Sequence, residues 1–186
     1  DELLGRRHRG LLVERPDPRI LDCGCGTGAN LVMLAAFGRA SGFDLSYRGL
    51  EFAHAYGQHS VAQASITGIP FGGERFDLVT AFDVLYSLSE DQEAAALGEM
   101  FRVLKPGGTL IVNVAALRIL RGNHSVFGAE VRRSTRRRLR RVLTQAGFRV
   151  TRLTYSNAFL FPVMLTVRTG QRLVGLATPE EAGTDV

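Results

Sequence analysis

The sequence predicts an α/β fold of the doubly wound class, a mostly parallel sheet with helices on both faces. Two observations predict it. Apolar runs and helix-patterned stretches alternate from residue 19 to about 155, the arrangement that places parallel strands side by side and packs their crossover helices on both sides. The first run, "RILDCG", leads directly into three closely spaced glycines and a helix, which is where such sheets bring bare backbone against a ligand. With 186 residues the chain suits a single domain. The core is expected over about 19–155, with an apolar segment and a polar, frayed tail over 156–186.

Each element has its own signal. "RILDCG" is short, apolar and ended by glycine, as a buried parallel strand should be. "ANLVMLAAFG" reads as a helix that Gly38 ends. "ASGFDL" is a second strand, Arg48 to Tyr56 a helix, and "VAQAS" a weak third strand before a loop through Pro70. "RFDLVTAFDVL" is a strong fourth strand. In "SEDQEAAALGEMFRVLKPGG", Ser89 and Gln92 form a capping box, acidic residues fill the first turn, and Pro106-Gly107-Gly108 is expected to stop the helix. "TLIVNV" follows as a fifth strand. After a loop through His124, Thr135 caps a helix to Ala146, and "FRVTRLTYS" reads as a sixth strand.

Composition narrows the class. At 45% hydrophobic and 22% charged, the chain has the make-up of a soluble globular protein. Its longest apolar run, "AFLFPVMLTV", is about half of what a membrane span needs. The opening "DELLGRRHRG" lacks the layout of a secretory signal, and without a leading methionine, residues upstream of Asp1 are expected. Net charge is +5, carried almost wholly by arginine, with Lys105 the single lysine; a codon bias toward arginine accounts for this without nucleic acid. Cys23 and Cys25 are two apart on one strand end, a placement unsuited to a mutual disulfide. A reducing, cytoplasmic location is therefore expected. The two thiols could supply at most two metal ligands, and no second pair completes a site, so no metal is expected.

The glycines leave two cofactors open. Gly24, Gly26 and Gly28 satisfy G-x-G-x-G, while Gly24, Gly26 and Ala29 satisfy the dinucleotide pattern G-x-G-x-x-A. Both require an acid about 20 residues on to take a ribose diol, and Asp44 supplies it. Asp22, just before the first glycine, stands where dehydrogenases usually carry an apolar residue; an acid there can help hold an ammonium group.

With "LDCGCGTG", "GFDLS", "GIPF…RFDLV" and "RVLKPGG" in order at the right spacing, the chain resembles the class I S-adenosylmethionine-dependent methyltransferases. The likeness is to the small-molecule, type 11-like branch, over roughly residues 2 to 160. The resemblance implies a Rossmann-like sheet and S-adenosylmethionine as cofactor, with S-adenosylhomocysteine as product. It implies that Asp22 and the backbone of Gly24 and Gly26 hold the methionine part, with Cys25 and Gly28 completing the loop. Asp44 would take the ribose hydroxyls, Leu45 and Ile66 the adenine faces, and Asp83 would face the transfer centre. The family usually has an acid where this chain has Ser65, so a hydroxyl or the backbone must serve the adenine there. Relatives often carry histidine where this chain has Ser87. A seventh strand is also implied, either "PVMLTVR" or a segment beyond Val186; a helix over the former would leave an exposed sheet edge.

Transfer of the methyl group to oxygen, nitrogen or carbon of a small organic acceptor is the activity implied. His124 is the candidate base by position, its alternative an ordinary surface-loop residue; Tyr86 is the candidate that orients an acceptor, its alternative a cap on the core. His54 and His59 read as surface residues, and His8 as a candidate part of a lid. The run "RRSTRRRLRR" reads as the solvated face of a helix whose apolar stripe is Leu139, Val142, Leu143 and Ala146. Peripheral contact with anionic lipid is the other use of that face; nucleic acid is not expected, since no aromatic platform accompanies it. Two rivals remain: a methyltransferase-fold protein that binds or regulates without turnover, and an NAD(P)-dependent oxidoreductase.

Overall fold

A computed structural model describes residues 16–114 and 134–155. In chain order the elements are β1 (Arg19–Cys23), α1 (Ala29–Leu34), β2 (Arg39–Asp44), α2 (Tyr47–Ala55), β3 (Val61–Gln63) and β4 (Phe76–Phe82). A single 3-10 turn (Leu85–Ser87), α3 (Glu90–Val103), β5 (Leu104–Asn113) and α4 (Arg136–Gln145) follow. The sheet order is β3-β2-β1-β4-β5, and every pairing is parallel. The chain builds outward from β1 to β3, then returns to lay β4 on the other side of β1. That reversal opens a crevice at the carboxyl ends of β1 and β4, where open α/β sheets take their ligands.

The central strands are buried on both faces, which is why they are continuously apolar. One face packs Leu21, Cys23, Val79 and Ala81 against Leu97 and Met100 of α3 and Leu139 and Leu143 of α4. The other packs Ile20 and Leu78 against Leu34 of α1. The stripe expected on α4 is thus confirmed, and Arg137, Arg140 and Arg141 lie exposed on its other side. Arg138 is different: its guanidinium reaches both oxygens of Glu93, at 3.1 and 2.6 Å, and ties α4 to α3 through a carboxylate only 3% exposed.

The capping box forms as expected. Ser89 Oγ accepts from the Gln92 amide, and Gln92 Oε1 accepts from the Ser89 amide. Two expectations need correction. The helix does not run to Pro106: it ends at Val103, and Leu104 is already extended and paired with Phe76. Proline disfavours helical backbone in the residue before it, so the turn out of the helix falls earlier. The segment Lys105–Gly108 becomes an irregularity within β5, whose register jumps from Phe76↔Leu104 to Leu78↔Thr109. Lys105 anchors it by an ion pair to Asp77 at 2.9 Å. The second correction concerns "FRVTRLTYS", which forms no strand over its described residues, up to Tyr155. Phe148, Val150 and Leu153 pack against the core, so apolar burial is achieved there without a hydrogen-bonded ladder. "PVMLTVR", the chain's first residues and its tail lie outside the described residues.

Candidate functional site

The glycine turn is seated on β2. The amides of Gly24 and Cys25 both donate to the Phe43 carbonyl, at 2.9 and 3.0 Å. Gly24 and Gly28 adopt φ of +78° and +80°, a left-handed backbone that residues with a Cβ resist. A Cβ on Gly24 would also meet Val84 at 3.0 Å, which shows how closely the turn approaches the chain leaving β4. A Cβ on Gly26 would meet nothing within 4 Å; its backbone borders open space. Gly42 was missed by sequence reasoning. A Cβ there would lie 2.8 Å from the Cys25 side chain, so its bareness lets the turn settle onto β2. A small residue inside a strand, facing a glycine turn, was the available signal.

Asp44 ends β2 with both carboxylate oxygens engaged by backbone. Oδ2 accepts from the Gly26 amide at 2.7 Å and Oδ1 from the Ser46 amide at 2.8 Å. Ser46 in turn caps α2, so the acid is fixed between the turn and the next helix. Each oxygen keeps a further lone pair for a ligand hydroxyl.

Asp22 lies beneath the same turn and is 0% exposed. Thr80 Oγ1 of β4 donates to its Oδ1 at 2.6 Å, while Oδ2 is buried with no hydrogen-bond partner. Burial pushes its carboxyl up to about 6; the Thr80 hydroxyl and, less, the Asn30 side chain oppose the rise, and the Asp44 charge adds slightly to it. Thr80 was invisible in a strand read only as apolar.

Asp83 follows β4 in a left-handed conformation, φ +55°. Its amide donates to the Asn113 carbonyl, and the Asn113 amide group lies 3.3 Å from both of its carboxylate oxygens. Partial burial raises this carboxyl and the Asn113 contact works against the rise. Tyr86 is half-buried in the 3-10 turn, beside Ser87, whose hydroxyl donates to the Val84 carbonyl.

The expected adenine wall is divided. Leu45 is 71% exposed, whereas Ile66 is 8% exposed and belongs to the core. The Ser65 hydroxyl is held in a turn with Thr67, 2.8 Å from its hydroxyl. The connection onward to β4 is clamped from α3. Glu99 accepts from the Ile69 amide, and Arg102 pairs with Glu99 while donating to the Ile69 and Phe71 carbonyls.

Cys23 and Cys25 are buried, and burial raises both thiols, Cys25 to about 12; neither is a thiolate at neutral pH. Among the described residues no three His, Cys, Asp or Glu side chains gather as a metal site. His54 and His59 are exposed and face each other, Nδ1 to Nδ1, at 3.3 Å. His124 and His8 lie outside the described residues. A hollow of about 600 Å³ lined by Arg19, Gly38, Arg39 and Ser60 sits at the amino ends of β1 and β2, the opposite edge of the sheet.

An unpartnered buried acceptor, an open glycine turn and a fixed acid after β2 together fit a ligand with a ribose and an amino-acid arm. A family model described as a methyltransferase domain matches residues 21–112, the stretch holding all three. The chain belongs to the class I S-adenosylmethionine-dependent methyltransferases. Their cofactor is S-adenosylmethionine. A ubiquinone/menaquinone biosynthesis C-methyltransferase from Syntrophotalea carbinolica is 41% identical over 103 residues, 50% of this chain and 42% of that protein. Among solved structures, the S-adenosylmethionine-bound aminopentose methyltransferase CalS10 of Micromonospora echinaspora is 31% identical, with a TM-score of 0.53 over 60% of this chain and 49% of that one. A methyltransferase from Thermotoga maritima is 26% identical, with a TM-score of 0.62 over 76% of this chain and 70% of that one. The matched stretch spans less than half the length of the curated relatives.

Proposed function

We propose that this methyltransferase domain moves the methyl group of S-adenosylmethionine to a small organic acceptor and releases S-adenosylhomocysteine. The observation that carries the reading is the gathering of Asp22, the glycine turn, Asp44 and Asp83 on one edge of the sheet, at the reversal of strand order. Asp44 takes the ribose hydroxyls on the lone pairs its backbone bonds leave free. The bare backbone of Gly24, Cys25, Gly26 and Gly28 accommodates the methionine part. Asp22 acts from below, through an ordered water or after a shift of the turn, because no surface of it is open. Leu45 and the edge of Ile66 flank the adenine, whose amino group falls to backbone near Ser65. Bound there, the cofactor supplies a methyl electrophile, and the protein's task is alignment and exclusion of water. Asp83 faces the transfer centre, Tyr86 orients the acceptor, and His124 receives a proton where the acceptor has one to lose.

The role of the Syntrophotalea relative in quinone biosynthesis supports a small organic acceptor. Contact with anionic lipid through Arg137, Arg140 and Arg141 suits an acceptor of that apolar kind, and a cytoplasmic location without a nucleic-acid partner belongs to the same reading. No helix among the described residues is long and apolar enough to cross a membrane.

Calorimetry with S-adenosylmethionine and S-adenosylhomocysteine tests the proposal. Both should bind, and Asp44→Ala should weaken them at least tenfold, roughly the worth of lost hydrogen bonds to a charged group. Absence of binding by the intact protein, or equal affinity in the variant, overturns it.

A further inference from the structure

We infer that Thr80 is a positioning residue for ligand binding: by occupying one oxygen of the buried Asp22, it leaves the other as a single directed acceptor for the ammonium end of the ligand. The inference rests on the methyl-donor reading for the ligand it names. Its own footing is geometric. Thr80 is 0% exposed and sits beside Asp22 in the β1–β4 register. Its hydroxyl has one hydrogen, and the 2.6 Å contact to Oδ1 claims it, the Leu21 carbonyl lying farther away at 3.4 Å.

A fully buried carboxylate is costly unless its oxygens are satisfied. Here Oδ1 is satisfied and Oδ2 is not. Asp22 therefore has one acceptor committed to Thr80 and one without a bonded partner, open to a positively charged donor. The groups facing it leave that vacancy to an outside donor. None of them supplies a positive charge: Asp44 across the turn is an acid, the thiols of Cys23 and Cys25 are protonated, and the Asn30 side chain of α1, which opposes the rise of the Asp22 carboxyl, is neutral.

The test compares two ligands that differ at the end Asp22 serves. S-adenosylhomocysteine carries the amino-acid arm; 5′-methylthioadenosine has the same nucleoside and a sulfur but no arm. Thr80→Val keeps the shape and removes the hydroxyl. It should weaken S-adenosylhomocysteine about tenfold and leave methylthioadenosine within about twofold, while Thr80→Ser restores wild-type affinity for both. Equal weakening of both ligands, or none, overturns the inference. A second readout needs no ligand. By carbon-detected NMR of the unliganded protein, Asp22 should titrate at higher pH in Thr80→Val than in wild type, since the bond to the ionised form is gone. Identical titration overturns the inference. If wild type binds neither ligand, the methyl-donor reading falls, and the coupling of Thr80 to Asp22 is still decided by the titration.

Discussion

Burial favours the neutral form of Asp22 and the Thr80 hydroxyl favours the ionised one, and its carboxyl settles near 6 as a result. The consequence for stability has a definite sign. The folded state holds this proton more tightly than the unfolded chain, whose carboxyl titrates near 3.8. The stabilisation is therefore complete below about pH 4 and is lost as pH rises through 6. A difference of roughly two pKa units corresponds to about 3 kcal/mol. Urea titrations of the unliganded protein should show Asp22→Asn losing less stability than wild type between pH 4 and 7; parallel curves would refute this. In the sequence, the acids of this site were legible because Asp22 and Asp44 occupy fixed places around a glycine turn. Thr80, Asn113 and Gly42 were not, because each acts through a neighbour on another strand or in the turn just past one, and strand register is not written in local pattern.

Between the glycine turn and α3, the element that matters is the connection from β3 to β4. It has little regular structure, yet the Glu99–Arg102 pair binds its backbone at Ile69 and Phe71. The clamp holds the stretch that carries Ser65 and Ile66 against the core. Arg102→Leu should speed hydrogen exchange at Ile69 and weaken S-adenosylhomocysteine roughly fivefold, about 1 kcal/mol, with α3 still formed. Unchanged exchange at Ile69 would show the pair to be idle. Helix α3 was readable to its first residue because capping is a local code. Its end was misplaced because the proline takes effect before its own position. The sixth strand was expected from apolar content alone, and Phe148, Val150 and Leu153 satisfy that content by packing.

For the molecule as a whole, the parallel doubly wound class follows from alternation of strands and helices, whereas the order β3-β2-β1-β4-β5 was visible only in the structure. Which helices share a face was beyond the sequence, since Glu93 and Arg138 are 45 residues apart. Ligand binding should stabilise the entire fold: at about 100 times its dissociation constant, S-adenosylhomocysteine should add about 2.7 kcal/mol. A thermal melt would show this as an upward shift that is absent in Asp44→Ala. The carboxyl edge also carries three acids, Asp22, Asp44 and Asp83, and the proposed methyl transfer would change the charge of what sits beside them. The donor is a sulfonium cation; the spent product is a neutral thioether. On that proposal, electrostatic attraction across the edge would favour fresh donor over used product, so exchange of one for the other would be driven in the productive direction by charge and should weaken with salt. The same attraction is strongest before the methyl group leaves, so it opposes the chemical step to the extent that it aids exchange.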